Sequence, residues 1–97
     1  MATTKDYRDF ILEQLSLLDG ITYKSMMGEY LLYYNGLLFG GIYDDRLLVK
    51  IIDNNKEYNM QESIPYEGAK PMYLVDDVDN QERLRDIVLN TCKGLKK

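Results

Sequence analysis

The stretch that decides the fold is residues 28–52, GEYLLYYNGLLFGGIYDDRLLVKII. Asn35-Gly36 lies near its middle, and this dipeptide is the strongest short signal for a type I′ hairpin, because both central positions of that turn need positive φ. The segments EYLLYY and LLFGGIY therefore predict two antiparallel strands. Asp44-Asp45 predicts a second, less distinct turn, after which RLLVKII forms a third strand. The whole stretch is predicted to be an antiparallel meander.

A helix is predicted upstream of the meander. Thr3 or Thr4 can cap its N-terminus, and apolar residues then recur at helical spacing until Asp19-Gly20 ends it, with glycine in the left-handed position after the last turn. Between this helix and the meander, ITYKSMM (residues 21–27) predicts a further strand that Gly28 interrupts.

A second helix is predicted downstream, with Asp79 or Asn80 as its N-cap. Its apolar stripe consists of Leu84, Ile87, Val88, Cys92 and Leu95. MYLVD (residues 72–76) predicts one more strand, whereas residues 54–62 are compatible with a short helix or a loop. The fold class is therefore α+β: an antiparallel sheet flanked by N- and C-terminal helices.

The two-residue turns fix which side chains share a face of the predicted sheet. Tyr34 lies opposite Leu37 and Tyr43 opposite Arg46, and alternate residues then lie on the same side. One predicted face is almost entirely aliphatic and needs a helix on top: Leu31, Tyr33, Leu38, Ile42, Leu47, Val49 and Ile51. The other predicted face is amphipathic and aromatic: Tyr30, Leu32, Tyr34, Leu37, Phe39, Tyr43, Arg46, Leu48 and Lys50.

The aromatic face has two interpretations. Its composition is typical of protein interfaces, which predicts a homodimer, or a contact with another protein, through Tyr30, Tyr34, Phe39, Tyr43 and Arg46. The alternative is a second core layer under one of the helices. Both stay open, because two helices could cover both faces of a four- or five-stranded sheet only tightly. Gly40-Gly41 in mid-strand indicates a bulge or a close approach of other atoms.

Length and composition indicate one cytoplasmic domain. The 97 residues suit a single hydrophobic core, and the single cysteine excludes an internal disulfide, as is usual in a reducing cytosol. The N-terminus lacks the apolar region of a signal peptide, and no apolar run approaches the roughly 18 residues of a membrane span.

The chain offers little for catalysis or metal binding. It has no histidine, which removes imidazole bases and most zinc sites. Asp77, Asp79 and Gln81 alternate as in a calcium loop, but Glu82 and Val88 stand where that loop needs glycine and a bidentate glutamate. We therefore expect no catalytic residue, no metal and no cofactor. A small-molecule enzyme would instead show a concave pocket around Gly40-Gly41 lined with Glu29 and Arg46.

Charge argues against direct binding of nucleic acid. The net charge is −4, so the field of the whole molecule repels polyanions. If DNA contacts existed, the phosphate contacts would be Lys50, Lys93, Lys96 and Lys97.

Three segments, YRDFILEQLS, KSMMGEYLLYYNGLLFGGIYDDRLLVK and GAKPMYLVDD, resemble the TfoX/Sxy N-terminal domain family, and the resemblance runs from about residue 7 to residue 95. Members of that family share the Met-Gly segment, the Tyr-x-Asn-Gly hairpin, the Phe-Gly strand and the Asp-Asp-Arg-Leu turn. The resemblance implies a strongly bent antiparallel sheet similar to that of type III secretion chaperones, which commonly dimerise.

Longer members of the family are regulators of natural competence that act with the cyclic-AMP receptor protein at promoters. They carry a second, helical C-terminal domain that is not found in these 97 residues, so we expect a single-domain member. The resemblance implies a non-enzymatic interaction or regulatory module, acting as a dimer. The alternative is a transcription-associated protein that contacts DNA or the transcription machinery directly.

Overall fold

The structure is a computed structural model that describes residues 3–95. Two helices enclose the strands along the chain, and a six-residue 3-10 helix lies between the fourth and fifth strands. In chain order the elements are α1 (Lys5–Gln14), β1 (Ile21–Met26), β2 (Glu29–Tyr34), β3 (Leu37–Tyr43), β4 (Arg46–Val49), the 3-10 helix (Asp53–Tyr58), β5 (Gln61–Ser63), β6 (Met72–Val75) and α2 (Gln81–Leu95).

All six strands belong to one open sheet, in which every neighbouring pair is antiparallel. The strand order is β1-β2-β3-β4-β6-β5, so β6 lies between β4 and β5. The predicted α+β class and the meander are confirmed. The sheet has one strand more than the sequence predicted, because the polar segment 61–63 pairs with β6.

Three two-residue turns connect the first four strands, and each places both central residues at positive φ. The φ angles are 50° and 86° at Met27-Gly28, 50° and 82° at Asn35-Gly36, and 52° and 55° at Asp44-Asp45. The Asp-Asp turn lacks glycine, but its backbone amides donate hydrogen bonds: Asp44 N–H to the Glu29 carboxylate and Asp45 N–H to Thr3 Oγ1. These bonds help to hold a conformation that non-glycine residues adopt only at a cost.

A β-bulge in β3 changes the faces predicted from simple alternation. Leu32 pairs with Gly40 and Tyr33 with Leu38, which leaves Phe39 as the extra residue. Phe39 and Ile42 consequently lie on the same side of the sheet, in the same buried cluster. The predicted registers at both turns are confirmed, but the predicted division into an aliphatic and an aromatic face is wrong beyond the bulge.

Both helices pack on one side of the sheet, which we call the core face. From the helices come Ile11, Leu15, Leu84, Ile87, Val88 and Cys92. From the strands come Tyr30, Leu32, Phe39, Ile42, Leu47, Val49, Tyr73 and Val75. The predicted stripe of α2 is confirmed, since four of its residues are buried in this cluster and Leu95 packs against it.

The predicted helix caps are also present. Thr4 Oγ1 accepts a hydrogen bond from Tyr7 N–H, and Asn80 Oδ1 accepts one from Arg83 N–H. Helix α1 ends at Gln14, earlier than predicted. The bonds from Ser16 N–H to Glu13 C=O and from Leu18 N–H to Leu15 C=O are those of successive tight turns, which lead the chain towards β1.

Candidate functional site

The side of the sheet opposite the helices, which we call the outer face, is covered by an irregular segment instead of a helix. This segment, residues 64–71, follows β5 and leads into β6, and we call it the strap. Tyr66 of the strap lies against Tyr43 of β3, with ring centroids 6.0 Å apart. Leu48 of β4, which pairs with Gly41 and Leu74, has no exposed surface although it is outside the core-face cluster. The outer face therefore has a small apolar layer of its own.

Arg46 ties the strap to the sheet. Its guanidinium donates to Ser63 Oγ at 2.6 Å, to the Ile64 carbonyl at 3.3 Å and to the Pro65 carbonyl at 3.2 Å. Its Nε also donates to the Tyr43 carbonyl at 3.3 Å. The planar fork of arginine suits several acceptors at once, which an ammonium group could not match. Arg46 therefore holds the strap against the sheet by hydrogen bonds within the domain.

Tyr43 lies across the backbone of Gly41. A Cβ atom at Gly41 would stand 2.7 Å from the Tyr43 ring, so the second glycine of the pair gives the ring its space. Only 5% of Tyr43 is exposed. Burial raises the pKa of the Tyr43 hydroxyl, and the neighbouring Tyr66, Glu29 and Tyr33 raise it further. Ionisation of the phenol is therefore less favourable in the folded protein than in the unfolded chain.

A groove of about 610 Å³ lies between the strap and the outer face. The sheet side of the groove is formed by Leu38, Gly40, Tyr43, Lys50 and Ile51. The strap side and the start of β6 contribute Pro65, Tyr66, Ala69, Lys70, Pro71 and Met72. The lining is mostly apolar, and its charged residues are two lysines, with no aspartate or glutamate among the lining residues.

The groove does not have the composition predicted for an enzyme pocket. It contains Gly40 as expected, but neither Glu29 nor Arg46 lines it. Glu29 is engaged elsewhere: its carboxylate accepts from Thr3 N–H at 2.9 Å, from Thr3 Oγ1 at 2.8 Å and from Asp44 N–H at 3.1 Å. Both residues are thus occupied by hydrogen bonds that hold the fold together.

The structure does not bring the five predicted contact residues onto one surface. Tyr30 and Phe39 lie on the core face with 8% and 0% exposure, and Tyr34 packs against the same cluster while remaining partly exposed. Tyr43 and Arg46 take part in the outer face and its strap. The physical reason is the bulge at Phe39, because one inserted residue reverses the side on which every following residue lies.

The long free edge of the sheet is β1, and its residues are exposed apart from Ile21, which is half-buried. Tyr23 is 44% exposed, and its ring forms an edge-on contact with Tyr30, at a centroid distance of 5.7 Å. The Arg8 guanidinium lies 5.3 Å from both ring centroids. Met27, in the turn after β1, is 98% exposed. Sequence reasoning missed this edge, because the burial of a strand depends on which neighbours it acquires.

The four lysines predicted as possible phosphate contacts are dispersed. Lys50 lines the groove on the outer face, whereas Lys93 is exposed on α2, which packs on the core face. Lys96 and Lys97 lie outside the described residues. Within residues 3–95 no three His, Cys, Asp or Glu side chains gather as metal ligands would. No helix in that range is long and apolar enough to span a membrane.

The protein is a small α+β domain, in which an open antiparallel sheet has two helices on its core face and the strap on its outer face. Two features of its surface could bind a partner or a ligand: the free edge at β1 and the groove under the strap. Residues 13–92 match the TfoX N-terminal domain family, and the chain belongs to that family. A curated relative is an uncharacterized 12.7 kDa protein from the trpE 5′ region of Spirochaeta aurantia, which is 33% identical over 98% of this chain and 85% of its own length. The resemblance predicted from the sequence is confirmed.

Proposed function

We propose that this protein is a non-enzymatic regulatory module that works in the cytoplasm through protein contacts, and that it forms a homodimer by pairing β1 with β1 of a second copy. Membership of the TfoX N-terminal domain family supports the regulatory part. The observation that carries the contact is the free, exposed edge of β1.

The backbone geometry identifies the groups that are available for pairing. Gly20 C=O accepts a hydrogen bond from Asn35 N–H at 2.9 Å, so at this position the backbone is directed towards β2. Because the direction alternates along an antiparallel pair, Tyr23 and Ser25 direct their N–H and C=O groups away from the sheet. These unpaired groups are a template for another strand.

Lys24 is the one side chain of β1 that protects this template. Natural edges are usually blocked by proline, by charged side chains or by a bulge. Within β1 the charged residue is Lys24, and the strand contains neither proline nor a register shift against β2. Tyr23 is held in place by Arg8 and Tyr30, so its ring would lose little conformational entropy in an interface. Antiparallel pairing of two identical strands satisfies a two-fold axis.

The proposal is tested by sedimentation equilibrium on the wild type and two variants of one edge residue. Ser25→Pro removes the outward N–H group, whereas Ser25→Ala keeps it and serves as the matched control. We expect a mass of twice 11.4 kDa for the wild type and for Ser25→Ala, and 11.4 kDa for Ser25→Pro. Far-UV circular dichroism should be the same for all three.

Two results would contradict the proposed dimer. If the wild type sediments as a monomer at all concentrations, the proposed homodimer is wrong. The proposed regulatory role would then require a different protein as the partner. A Ser25→Pro variant that folds and still dimerises would show that the copies associate through another surface.

A further inference from the structure

We propose that the groove between the strap and the outer face is a binding site for a small amphipathic anion, a molecule with an apolar or aromatic body and one acidic head group. This inference is independent of the proposed dimer, because the groove residues and the β1 edge do not overlap.

The size and walls of the groove suit such a body. A volume of about 610 Å³ falls within the range of small-molecule sites, which are mostly apolar with few polar groups. Ile51, Pro65, Pro71 and Met72 provide apolar walls, and Tyr66 adds an aromatic ring that is 56% exposed. A flat aromatic or short aliphatic ligand would cover this surface.

The charged residues of the groove lining indicate that the head group of the ligand is acidic. Lys50 and Lys70 are the ionised residues of the lining, and no carboxylate lines the groove beside them. The ion pairs within residues 3–95 join Arg8, Lys56 and Arg85 to aspartates, so neither groove lysine takes part in them. Two cations in the lining of one apolar groove, in a protein of net charge −4, favour an anionic ligand. Tyr43 also lines the groove.

Hydrogen bonds hold the strap side of the groove in place, which lowers the entropic cost of binding. Arg46 fixes the beginning of the strap through Ser63, Ile64 and Pro65. The middle of the strap is a hydrogen-bonded turn in which Ala69 N–H donates to Tyr66 C=O at 3.0 Å, with Gly68 at φ 86°. The site therefore requires little reorganisation when a ligand enters.

The experiment compares two probes of the same shape, 1-naphthaleneacetate and its uncharged amide, by titration of ¹⁵N-labelled protein observed by NMR. We expect the anion to shift the amide signals of Ile51, Ala69 and Lys70. The amide probe should bind roughly tenfold more weakly, as the loss of one charge-assisted interaction implies. The variant with both Lys50→Met and Lys70→Met should remove that tenfold preference, whereas the control Lys24→Met on β1 should retain it.

Three outcomes would overturn the inference: no binding of either probe, equal affinity for the anion and the amide, or shifts that map to β1 instead of the groove. The same titration on Ser25→Pro separates this inference from the proposed function. If that variant is monomeric and still prefers the anion, the groove acts without the dimer. If the wild type proves monomeric and binds the anion, the dimer fails and the ligand site stands.

Discussion

The carboxylate of Glu29 and residue Thr3 are joined by two hydrogen bonds, from Thr3 N–H at 2.9 Å and from Thr3 Oγ1 at 2.8 Å. The same carboxylate accepts from Asp44 N–H, and the Asp45 carboxylate accepts from Thr4 N–H at 2.9 Å. The start of the chain is thus bound to two turns of the sheet. The five residues belong to the segment before α1, to the start of β2 and to the turn between β3 and β4.

We expect Glu29→Gln to destabilise the fold by about 1–3 kcal/mol, because the amide keeps the volume but loses the charge of the shared acceptor. The measurement is urea unfolding followed by circular dichroism. Thr3→Val and the double variant complete a cycle, and the two effects should not add, since both changes act on the bond from Thr3 Oγ1 to the Glu29 carboxylate. Strict additivity would show that the bond from Thr3 Oγ1 to Glu29 couples the two residues by no measurable free energy.

Gly40 should tolerate no side chain. A Cβ atom there would meet the Leu48 carbonyl oxygen and would stand 2.8 Å from Val49 Cα, and these are backbone atoms of the paired strand β4. We expect Gly40→Ala to cost about 3 kcal/mol or more, at the upper end of overpacking effects.

Gly36→Ala is the control for this prediction, because Gly36 also has a special role but has open space around it. Its φ is 82° and no atom lies within 4 Å of a Cβ built there. The expected cost is about 1 kcal/mol, from the left-handed conformation alone. Equal midpoints of thermal unfolding for the two variants would contradict the close approach at Gly40.

Arg46→Lys should loosen the strap while leaving the core face intact. Lysine keeps the charge, but the three N–H groups on its single nitrogen cannot serve the four acceptors of Arg46, which lie on Tyr43, Ser63, Ile64 and Pro65. We expect amide hydrogen exchange to accelerate at Ala69, which donates within the strap, and to stay unchanged at Leu84 in α2. Uniform acceleration at both sites would mean that Arg46 supports the whole domain.

Alkaline stability should depend on Tyr43. Its folded pKa is raised above the ordinary value of 10.0, chiefly by burial, so the folded protein holds the phenol proton more tightly than the unfolded chain does. The stability that results is present in full below the unfolded pKa and is lost as the pH rises through the folded pKa. Tyr43→Phe cannot ionise, so over the alkaline range that begins near the ordinary value of 10.0 it should gain stability relative to the wild type. A constant difference in unfolding free energy over that range would contradict the assignment.

Local chemistry in the sequence was sufficient for the turns, the caps and the stripe of α2. Asn35-Gly36 predicts its own turn from φ preferences, and Thr4 and Asn80 predict helix starts because their side chains can accept from backbone amides two or three positions later. The bulge could be suspected from Gly40-Gly41, but its effect on the faces could not be derived. Alternation is a local rule, and the extra residue is defined only by its partner, Leu32.

The strap and the groove could not be predicted from the sequence, because they depend on contacts between segments that are distant along the chain. Residues 64–71 have no hydrophobic periodicity. Their position is set by Arg46, which the sequence indicated as an interface contact or a pocket residue and not as a partner of this segment. The three residues of β5 are polar and too few to predict a strand, and they become one because β6 offers them an edge. The exposed edge of β1 escaped notice for the same reason.

The position of β6 between β4 and β5 has a consequence for biosynthesis. The first four strands pair with their neighbours along the chain, so the meander can form as soon as residue 49 has left the ribosome. β5 is synthesised before β6 but cannot join the sheet until β6 has paired with β4. During that interval residues 46–49 form a second exposed edge, at which the nascent sheet could pair with another chain.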